Sequence, residues 1–156
     1  MQQIQYFMEK NIHRIRLRVF FRTNDEEESN IVNQNYKKLM PFDETELDKI
    51  EITNKNSEGL LIREVIITKN KLCDKFFKNL LSVLEINNYK EQLLKELDLQ
   101  IDEAFLDFYL RLDKNTLKPV TGGNCFHIKI TPAAFPKTRE TVKKKMIELL
   151  NKTDNV

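Results

Sequence analysis

The amino-acid sequence predicts an α+β fold: a single antiparallel or mixed sheet with helices packed mainly on one face. Segments with apolar residues at helical spacing are interleaved along the chain with short segments rich in β-branched and aromatic residues. Several strand segments alternate apolar with polar residues, which is typical of an antiparallel sheet that is buried on one face and open on the other. The predicted order of elements is β-α-β-β-α-(α)-β-β-α.

The elements of the first half follow from local signals in chain order. In the first strand, aliphatic residues alternate with arginines, and Thr23 or Asn24 then caps a helix that stops at Pro41. A weak strand follows, and Gly59 opens an apolar third strand that is rich in β-branched residues. The strands of this half are expected at about 12–21, 46–53 and 60–68.

The second half is predicted from helical periodicity followed by two more strands. Leucines of the fourth strand alternate with Tyr109 and Arg111, and the Asp113-Lys114-Asn115 segment turns the chain. Gly122-Gly123 predicts a hairpin turn before the last strand, and Pro136 starts a closing helix. These elements are expected at about 70–84 and 87–99 (helices), 104–112 and 125–130 (strands) and 136–150 (helix).

Length and composition favour one domain. The chain has 156 residues, 40% hydrophobic and 32% charged, as in globular domains that bury a core without disulfides or metals. We expect a flexible extension at 1–10, the domain at 11–151 and a disordered tail at 152–156. Cys73 and Cys125 give no disulfide framework or metal-site spacing. Neither a membrane-spanning run nor a secretory signal is found, so the sequence predicts a cytoplasmic protein without membrane contact.

A row of arginines on the first strand is the strongest indication of function. Arg14, Arg16 and Arg18 point to the polar face, about 6.6 Å apart, and would repel one another unless counter-charges or a polyanion lay over them. Guanidinium groups bind phosphate in a bidentate manner and stack on bases, which predicts nucleic-acid contact. If the predicted strands are neighbours, the same face also collects Tyr109, Arg111, His127 and Lys129. The alternative is a solvated face on which Asp107, Glu51 or Glu64 pairs with the arginines.

Charge is distributed unevenly along the chain, although the formal net charge is only +2. Residues 11–22 contain four arginines and no acidic residue, whereas residues 23–58 and 84–108 are acidic. Lys137 and Arg139 fall in the predicted first turn of the last helix, where the helix dipole disfavours cations by about 0.3–1 kcal/mol each. Because free N–H groups at a helix start bind phosphate, these two residues form a second predicted contact. The alternative is that they only solvate the helix.

Catalytic signatures are absent from the sequence. His13 and His127 have no partnered serine or cysteine in a recognisable motif, and Gly122-Gly123 lies in neither a dinucleotide-binding nor a Walker pattern. The acidic residues occur mainly at helix starts and on helix faces, whereas a hydrolase or nuclease needs a carboxylate or metal cluster in a cleft. The sequence therefore predicts no enzyme, no cofactor and no metal.

Three segments resemble an archaeal family of RNA-binding proteins or exosome subunits with a double-stranded-RNA-binding-like fold. They are I-H-R-I-R-L-R-V-F followed by T-N-D-E-E-E (12–28), Y-L-R-L-D-K (109–114) and H-I-K-I-T-P-A-A-F-P-K-T-R-E (127–140), in the family's order. The resemblance implies a fold like that of a large-subunit ribosomal protein, RNA binding without known catalysis, and attachment to the RNA-processing exosome.

Two interpretations follow. The leading one is a non-catalytic RNA-binding domain that contacts backbone phosphate with low sequence specificity, because phosphate contacts position a protein but do not read sequence. The alternative is an assembly module whose arginine-rich sheet face docks on an acidic protein partner or on a second copy as a homodimer. In that case Phe20 or Phe105 would anchor the interface.

Overall fold

The computed structural model of the chain describes residues 10–152, without the side chains of residues 86 and 87. The extension predicted at 1–10 and the tail predicted at 152–156 therefore lie, except for their innermost residues, outside the described residues. The described strands are β1 (Ile12–Arg22), β2 (Glu51–Ser57), β3 (Leu60–Ile67), β4 (Phe108–Asp113) and β5 (Cys125–Pro132). The described helices are α1 (Glu26–Leu39), α2 (Glu44–Leu47), α3 (Asn70–Val83), α4 (Ile86–Lys95), α5 (Leu97–Gln100) and α6 (Arg139–Asn151).

The strands form one antiparallel sheet in the order β2-β3-β1-β5-β4. The longest strand, β1, lies at the centre and pairs with β3 on one side and β5 on the other. β4 pairs with β5 and forms one edge of the sheet, while β2 pairs with β3 and forms the other. The sheet and the order of elements confirm the predicted α+β class, and the three strands with predicted site residues are neighbours.

The hydrophobic core lies between one face of the sheet and the helices. Ile15, Leu17 and Val19 of β1 are buried, and they belong to the same core cluster as Phe76 and Leu80 of α3. Full burial of a side chain of this size stabilises the fold by about 1.5–3 kcal/mol. Since successive strand residues point to opposite faces, burial of this set turns the alternating arginines to the face that the helices leave open.

A buried lysine fastens the β4–β5 connection to the rest of the fold. Lys114, with a side chain only 7% exposed, places its ammonium 2.5 Å from Glu28 of α1 and donates to the Phe20 carbonyl. Asn35 of α1 donates to the Lys114 carbonyl at 2.6 Å. These bonds keep β1 and β4 in fixed relation to α1, which also fixes the open face.

The predicted strand at 46–53 is wrong in its first half. Glu44–Leu47 is a helical turn with a capping box between Asp43 and Glu46, and β2 runs later, over Glu51–Ser57. Residues 54–57, which lie beyond the end of the predicted strand, are also strand, because the chain reverses only at Glu58 and Gly59, which both have positive φ.

Other boundaries move for local reasons. Asp25, not Thr23 or Asn24, caps α1 by accepting from the Glu28 amide. The last helix begins at Arg139 with Thr138 as its cap, so Lys137 precedes the first turn in which it was predicted. The helix predicted at 87–99 divides into α4 and α5.

The fourth strand also begins later than predicted, at Phe108 instead of residue 104. Asp102 accepts hydrogen bonds from the amides of Ala104 and Phe105, and Leu106 adopts the left-handed conformation. Residues 102–106 therefore form a turn that precedes the strand.

The helices of residues 10–152 lack the combination of length and hydropathy that a membrane crossing needs. Over the same residues, no three His, Cys, Asp or Glu side chains are grouped in a way that could hold a metal ion.

Candidate functional site

The open face of the sheet carries most of the predicted site residues, because register places them in rows across three strands. In each row the β1 residue pairs with a β5 residue, which in turn pairs with a β4 residue. The two complete rows are Arg16, Lys129 and Tyr109, and then Arg18, His127 and Arg111. Arg14 lies one row further, opposite Thr131. We refer to Arg14, Arg16, Arg18, Arg111 and Lys129 together as the arginine face.

Glu64 of β3 is the counter-charge that the structure places among these cations. Its Oε2 atom lies 3.1 Å from Arg18 Nη2 and 3.9 Å from Arg16 Nε, and Arg18 Nε donates to the same oxygen. The predicted pairing of the arginines with Glu64 is thus confirmed. One carboxylate faces two guanidinium groups, however, and Arg16 Nε is buried without a hydrogen-bond partner among the described residues.

Three cations of the arginine face form no ion pair within 4 Å with any residue that the structure describes, although Lys129 interacts electrostatically with the Asp102 carboxylate. Arg14 forms no ion pair there, and Arg111 and Lys129 contact aromatic rings instead. The Arg111 guanidinium carbon lies 4.7 Å from the centre of the Tyr109 ring, and Lys129 Nζ lies 5.9 Å from it. Since stacked guanidinium groups keep their charge, the face retains a net positive charge.

Aromatic rings lie between the cations. His127 makes edge contacts with Phe20 and Tyr109, at centroid distances of 6.4 and 6.2 Å. The Tyr109 hydroxyl lies 3.3 Å from His127 Nδ1, and Cys125 Sγ lies 3.5 Å from Nε2 on the other side of the ring. Phe105, 64% exposed, lies beside Lys129, whose Nζ is 5.4 Å from the ring centre. The face therefore offers both charge and stacking surface.

Burial and charge favour the neutral form of the His127 ring. Burial lowers the pKa of His127 below its usual value, and the guanidinium groups of Arg111 and Arg18 lower this pKa further. Burial also raises the pKa of the neighbouring Cys125 thiol. A neutral imidazole next to a protonated thiol acts as a hydrogen-bonding and stacking group. An anion bound nearby would raise the pKa of the imidazole and so favour its protonated, charged form.

The remaining two predicted site residues lie apart from the rows. Lys137 Nζ is 3.5 Å from Oδ1 of Asp107, a carboxylate that is buried just before β4. Arg139 donates to the backbone carbonyls of Asp98 and Ile101 and so fastens the start of α6 to the end of α5. The structure does not bring Arg139 together with the arginine face.

Arg22 is a cation of the open face that the sequence analysis did not single out. It is exposed and pairs with Leu60 of β3, two positions beyond Phe20 in the same alternation as the other arginines. That spacing was the signal that could have identified it. Phe20 and Phe105 were predicted only as anchors for a protein partner, although they lie next to Arg18 and Lys129.

A cleft of about 540 Å³ lies elsewhere among the described residues. It is formed by the start of α1 and the β4–β5 connection, and its charged lining is mostly acidic: Asp25, Glu27, Glu28 and Asp113, with Lys114 already paired to Glu28. Such a lining repels polyanions, so this cleft does not compete with the arginine face for a nucleic acid.

Comparison with known proteins gives a family match and a structural match. Residues 14–131, which include all five strands except the ends of β1 and β5, match the model of a family described as RNA binding. The chain is 27% identical over 151 residues to an RNA-binding protein of Pyrococcus abyssi, and the match covers 91% of this chain and 96% of the relative.

Two solved archaeal structures share the fold. A DUF54 protein of Archaeoglobus fulgidus is 27% identical and superposes with a TM-score of 0.71, covering 90% of this chain and 98% of that one. A DUF54 protein of Methanothermobacter thermautotrophicus, 20% identical, superposes with a TM-score of 0.58 over 90% of this chain and 98% of the other, and this second likeness concerns the fold alone.

Proposed function

The chain belongs to the RNA-binding family, and on this basis we propose that it binds RNA, without catalysing a reaction, through the open face of its sheet. The observation that carries this proposal is the pair of rows across β1, β5 and β4, which gathers cations from distant segments on one uncovered surface. Glu64 pairs with only two of the five cations of the arginine face, Arg16 and Arg18, so a polyanion would supply the missing counter-charge.

The arrangement favours unpaired RNA over duplex. Arginine and lysine side chains would hold phosphates, while the exposed Phe105 ring and the Tyr109 ring offer surfaces on which splayed bases stack. A duplex hides those base faces and would use the cations alone. Because phosphate contacts and stacking are both tolerant of sequence, this mode gives low sequence specificity overall.

Salt dependence tests the proposal first. If five phosphates are neutralised, the logarithm of affinity for a single strand falls with the logarithm of salt concentration with a slope of about −3.5. Raising salt fourfold, from about 50 to 200 mM, then weakens binding roughly 100-fold. Fluorescence titration with single-stranded and structured RNA at both concentrations measures this, and an affinity unchanged by salt would contradict the proposal.

Charge reversal tests which face is used. Arg16→Glu combined with Arg18→Glu should reduce RNA affinity by at least tenfold. Lys71→Glu combined with Lys78→Glu is the matched control, because both lysines are exposed on α3, on the helical side of the sheet, and the change in net charge is the same. If both double variants lose the same amount of RNA affinity, binding depends on the net charge of the protein and not on the arginine face.

The absence of catalysis is part of the proposal. On the open face, the neutral His127 contacts a phenol and a thiol whose pKa is raised, so neither neighbour is a nucleophile or a carboxylate that would activate the ring. Incubation of the protein with end-labelled RNA should leave the strand intact. Cleavage that is lost in His127→Gln would overturn this part of the proposal.

Two finer expectations rest on the family resemblance and the sequence alone. They are attachment to the RNA-processing exosome and a cytoplasmic location. The first is tested by mixing the purified protein with a reconstituted archaeal exosome and sizing the product. If the protein and the exosome elute separately, exosome attachment is refuted, and the proposal that the protein binds RNA is unaffected.

The alternative function, docking of the arginine face on a protein or on a second copy, has one observation in its favour: Phe105 is an exposed aromatic side chain beside a cation. The same charges oppose a homodimer, because two copies meeting through this face would bring like charges together. Light scattering on the isolated protein distinguishes the cases. A stable dimer that Arg16→Glu disrupts would favour assembly over RNA.

A further inference from the structure

The free edge of β4 contains a gap. β4 lies at the edge of the sheet, and two isolated bridges cover its ends: Ile101 pairs with Phe108, and Leu112 pairs with Pro119. The carbonyls of Asp107 and Arg111 accept from the amides of Asp102 and Val120 at these two places. Between the bridges, the middle of β4 has no strand partner on this side.

A cleft of about 80 Å³ occupies this gap, between β4, α4 and the segment that leads to β5. Its walls combine apolar side chains with an aromatic ring and polar or charged groups, among them Tyr89, Gln92, Glu96, Gln100, Arg111 and Val120. The side chains of Gln92 and Gln100 form no hydrogen bond with any residue that the structure describes. The cleft thus offers two amide side chains, of the exposed Gln92 and the partly buried Gln100, beside apolar side chains and the Glu96 carboxylate.

Arg111 connects the cleft to the arginine face. It lines the cleft, yet it pairs with His127 across β5 and stacks on Tyr109 on the open face. A strand of RNA whose phosphate contacts Arg111 would have its next base within reach of the cleft. The phosphate would then lie against Arg111 on the open face, and the base would lie in the cleft on the other side of Arg111.

We propose that this cleft is a slot for one unpaired nucleobase, and that it prefers a pyrimidine; this rests on the proposed function. A base is flat, with apolar faces and an edge of hydrogen-bond donors and acceptors, which suits apolar walls and glutamine amides that both donate and accept. Since one water-sized group needs about 10–15 Å³, the cleft holds roughly five to eight such groups. That is the size of a single ring, whereas a purine has two.

The test compares ten-nucleotide oligouridylate with ten-nucleotide oligoadenylate by fluorescence anisotropy at one salt concentration. The wild-type protein should bind oligouridylate at least about fivefold more tightly. Gln92→Ala combined with Gln100→Ala should bring the ratio close to one by weakening oligouridylate alone. Val120→Trp, which fills the cleft but keeps the backbone bond to Arg111, should do the same, while Gln34→Ala on α1 should keep the ratio.

The possible outcomes separate this inference from the proposed function. If Arg16→Glu with Arg18→Glu weakens both oligonucleotides but the glutamine variants leave their ratio unchanged, RNA binding stands and the slot is refuted. If neither oligonucleotide binds, the proposed function fails. In that case uridine monophosphate and adenosine monophosphate are added separately to the protein and followed by NMR, which tests base binding in the cleft independently of RNA binding. Amide shifts at Val120 and Thr121 with the uridine nucleotide only would support it, and none, or equal shifts with both, would refute it.

Discussion

Glu64 limits the positive charge of the arginine face. Its side chain is 23% exposed, and those of Arg16 and Arg18 are 34% and 47% exposed. Ion pairs at such exposed positions contribute about 0.2–1 kcal/mol. The pairing therefore keeps the two arginines from repelling each other, yet it is weak enough for a phosphate to replace the carboxylate.

Glu64→Gln is expected to raise RNA affinity about two- to fivefold, because RNA no longer competes with a carboxylate for the guanidinium groups. The free protein should melt at a lower temperature, and RNA should restore its stability. Anisotropy titrations and thermal melts measure both effects. Glu148→Gln, exposed on α6 and paired there with Lys145 and Lys152, makes the same change in net charge away from Arg16 and Arg18. Equal gains in both variants would contradict a specific role of Glu64.

RNA affinity is expected to depend on pH through His127, whose pKa lies below its usual value because of burial and then because of Arg111 and Arg18. A phosphate on those arginines offsets their charge and raises this pKa, so the complex takes up a proton. Affinity should therefore rise as the pH falls through the pKa of His127 in the complex, which burial still holds below the usual value, and change little at higher pH.

Titrations between pH 5.5 and 8 check this expectation with matched variants of the two histidines. His127→Gln should remove the rise in affinity at low pH. His13→Gln, at an exposed position near the start of β1, should keep it. A rise of the same size in both variants would assign the pH dependence to other groups.

The different placements of Arg16 and Arg139 show which site residues a sequence can reveal. Arg16 follows from alternation within one strand, a local rule that holds wherever the strand lies. Arg139 was placed near a ligand because of the helix dipole, but its guanidinium binds the carbonyls of Asp98 and Ile101. Those acceptors lie about 40 positions earlier in the chain, and no local pattern indicates that they come close.

The β2–β3 hairpin depends on two residues in the left-handed region, Glu58 at φ 52° and Gly59 at φ 80°. Positive φ at both central positions is the geometry of a type I′ turn, which matches the twist of the flanking strands and favours Asn-Gly. A Cβ atom at Gly59 would lie 3.9 Å from the Asn24 side chain, an ordinary contact. The constraint on Gly59 is therefore conformational and not steric crowding.

Substitutions in this turn should have opposite effects on stability. Glu58→Asn should stabilise the fold by about 0.5–1 kcal/mol, since asparagine tolerates the left-handed region better than glutamate. Gly59→Ala should destabilise it by about 1–2 kcal/mol for the same reason. Urea unfolding measures both free energies. RNA affinity should remain unchanged in both variants, and stabilisation by Gly59→Ala would contradict the assigned turn.

Strand prediction succeeded where burial imposes alternation and failed where it does not. β1 and β5 have one face in the core, and their apolar residues alternate accordingly. β2 reads E-I-T-N-K-N-S and is exposed along nearly its whole length, so pairing with β3, and not its own pattern, makes it a strand. The start of β4 was misplaced because the turn around Asp102 contains Phe105 and Leu106, which look like strand residues.

The whole molecule separates its charges, although the net charge of +2 conceals this. The arginines of β1 and the cations of β4 and β5 come from opposite ends of the chain and meet because β5 lies between β1 and β4. The acidic first turn of α1 contributes Glu27 and Glu28 to the cleft that is lined mostly by carboxylates. Strand order is not a local property, so the sequence could predict the arginine row but not that these strands adjoin.

Cross-linking tests most directly the claim that RNA lies on the open face of the sheet. A single-stranded RNA containing 4-thiouridine is irradiated with the protein, and the attached peptides are identified by mass spectrometry. We predict cross-links to Phe20, Phe105, Tyr109 and His127, which are reduced in Arg16→Glu with Arg18→Glu. Cross-links confined to α1, α3 and α6, and unaffected by that double variant, would contradict the claim.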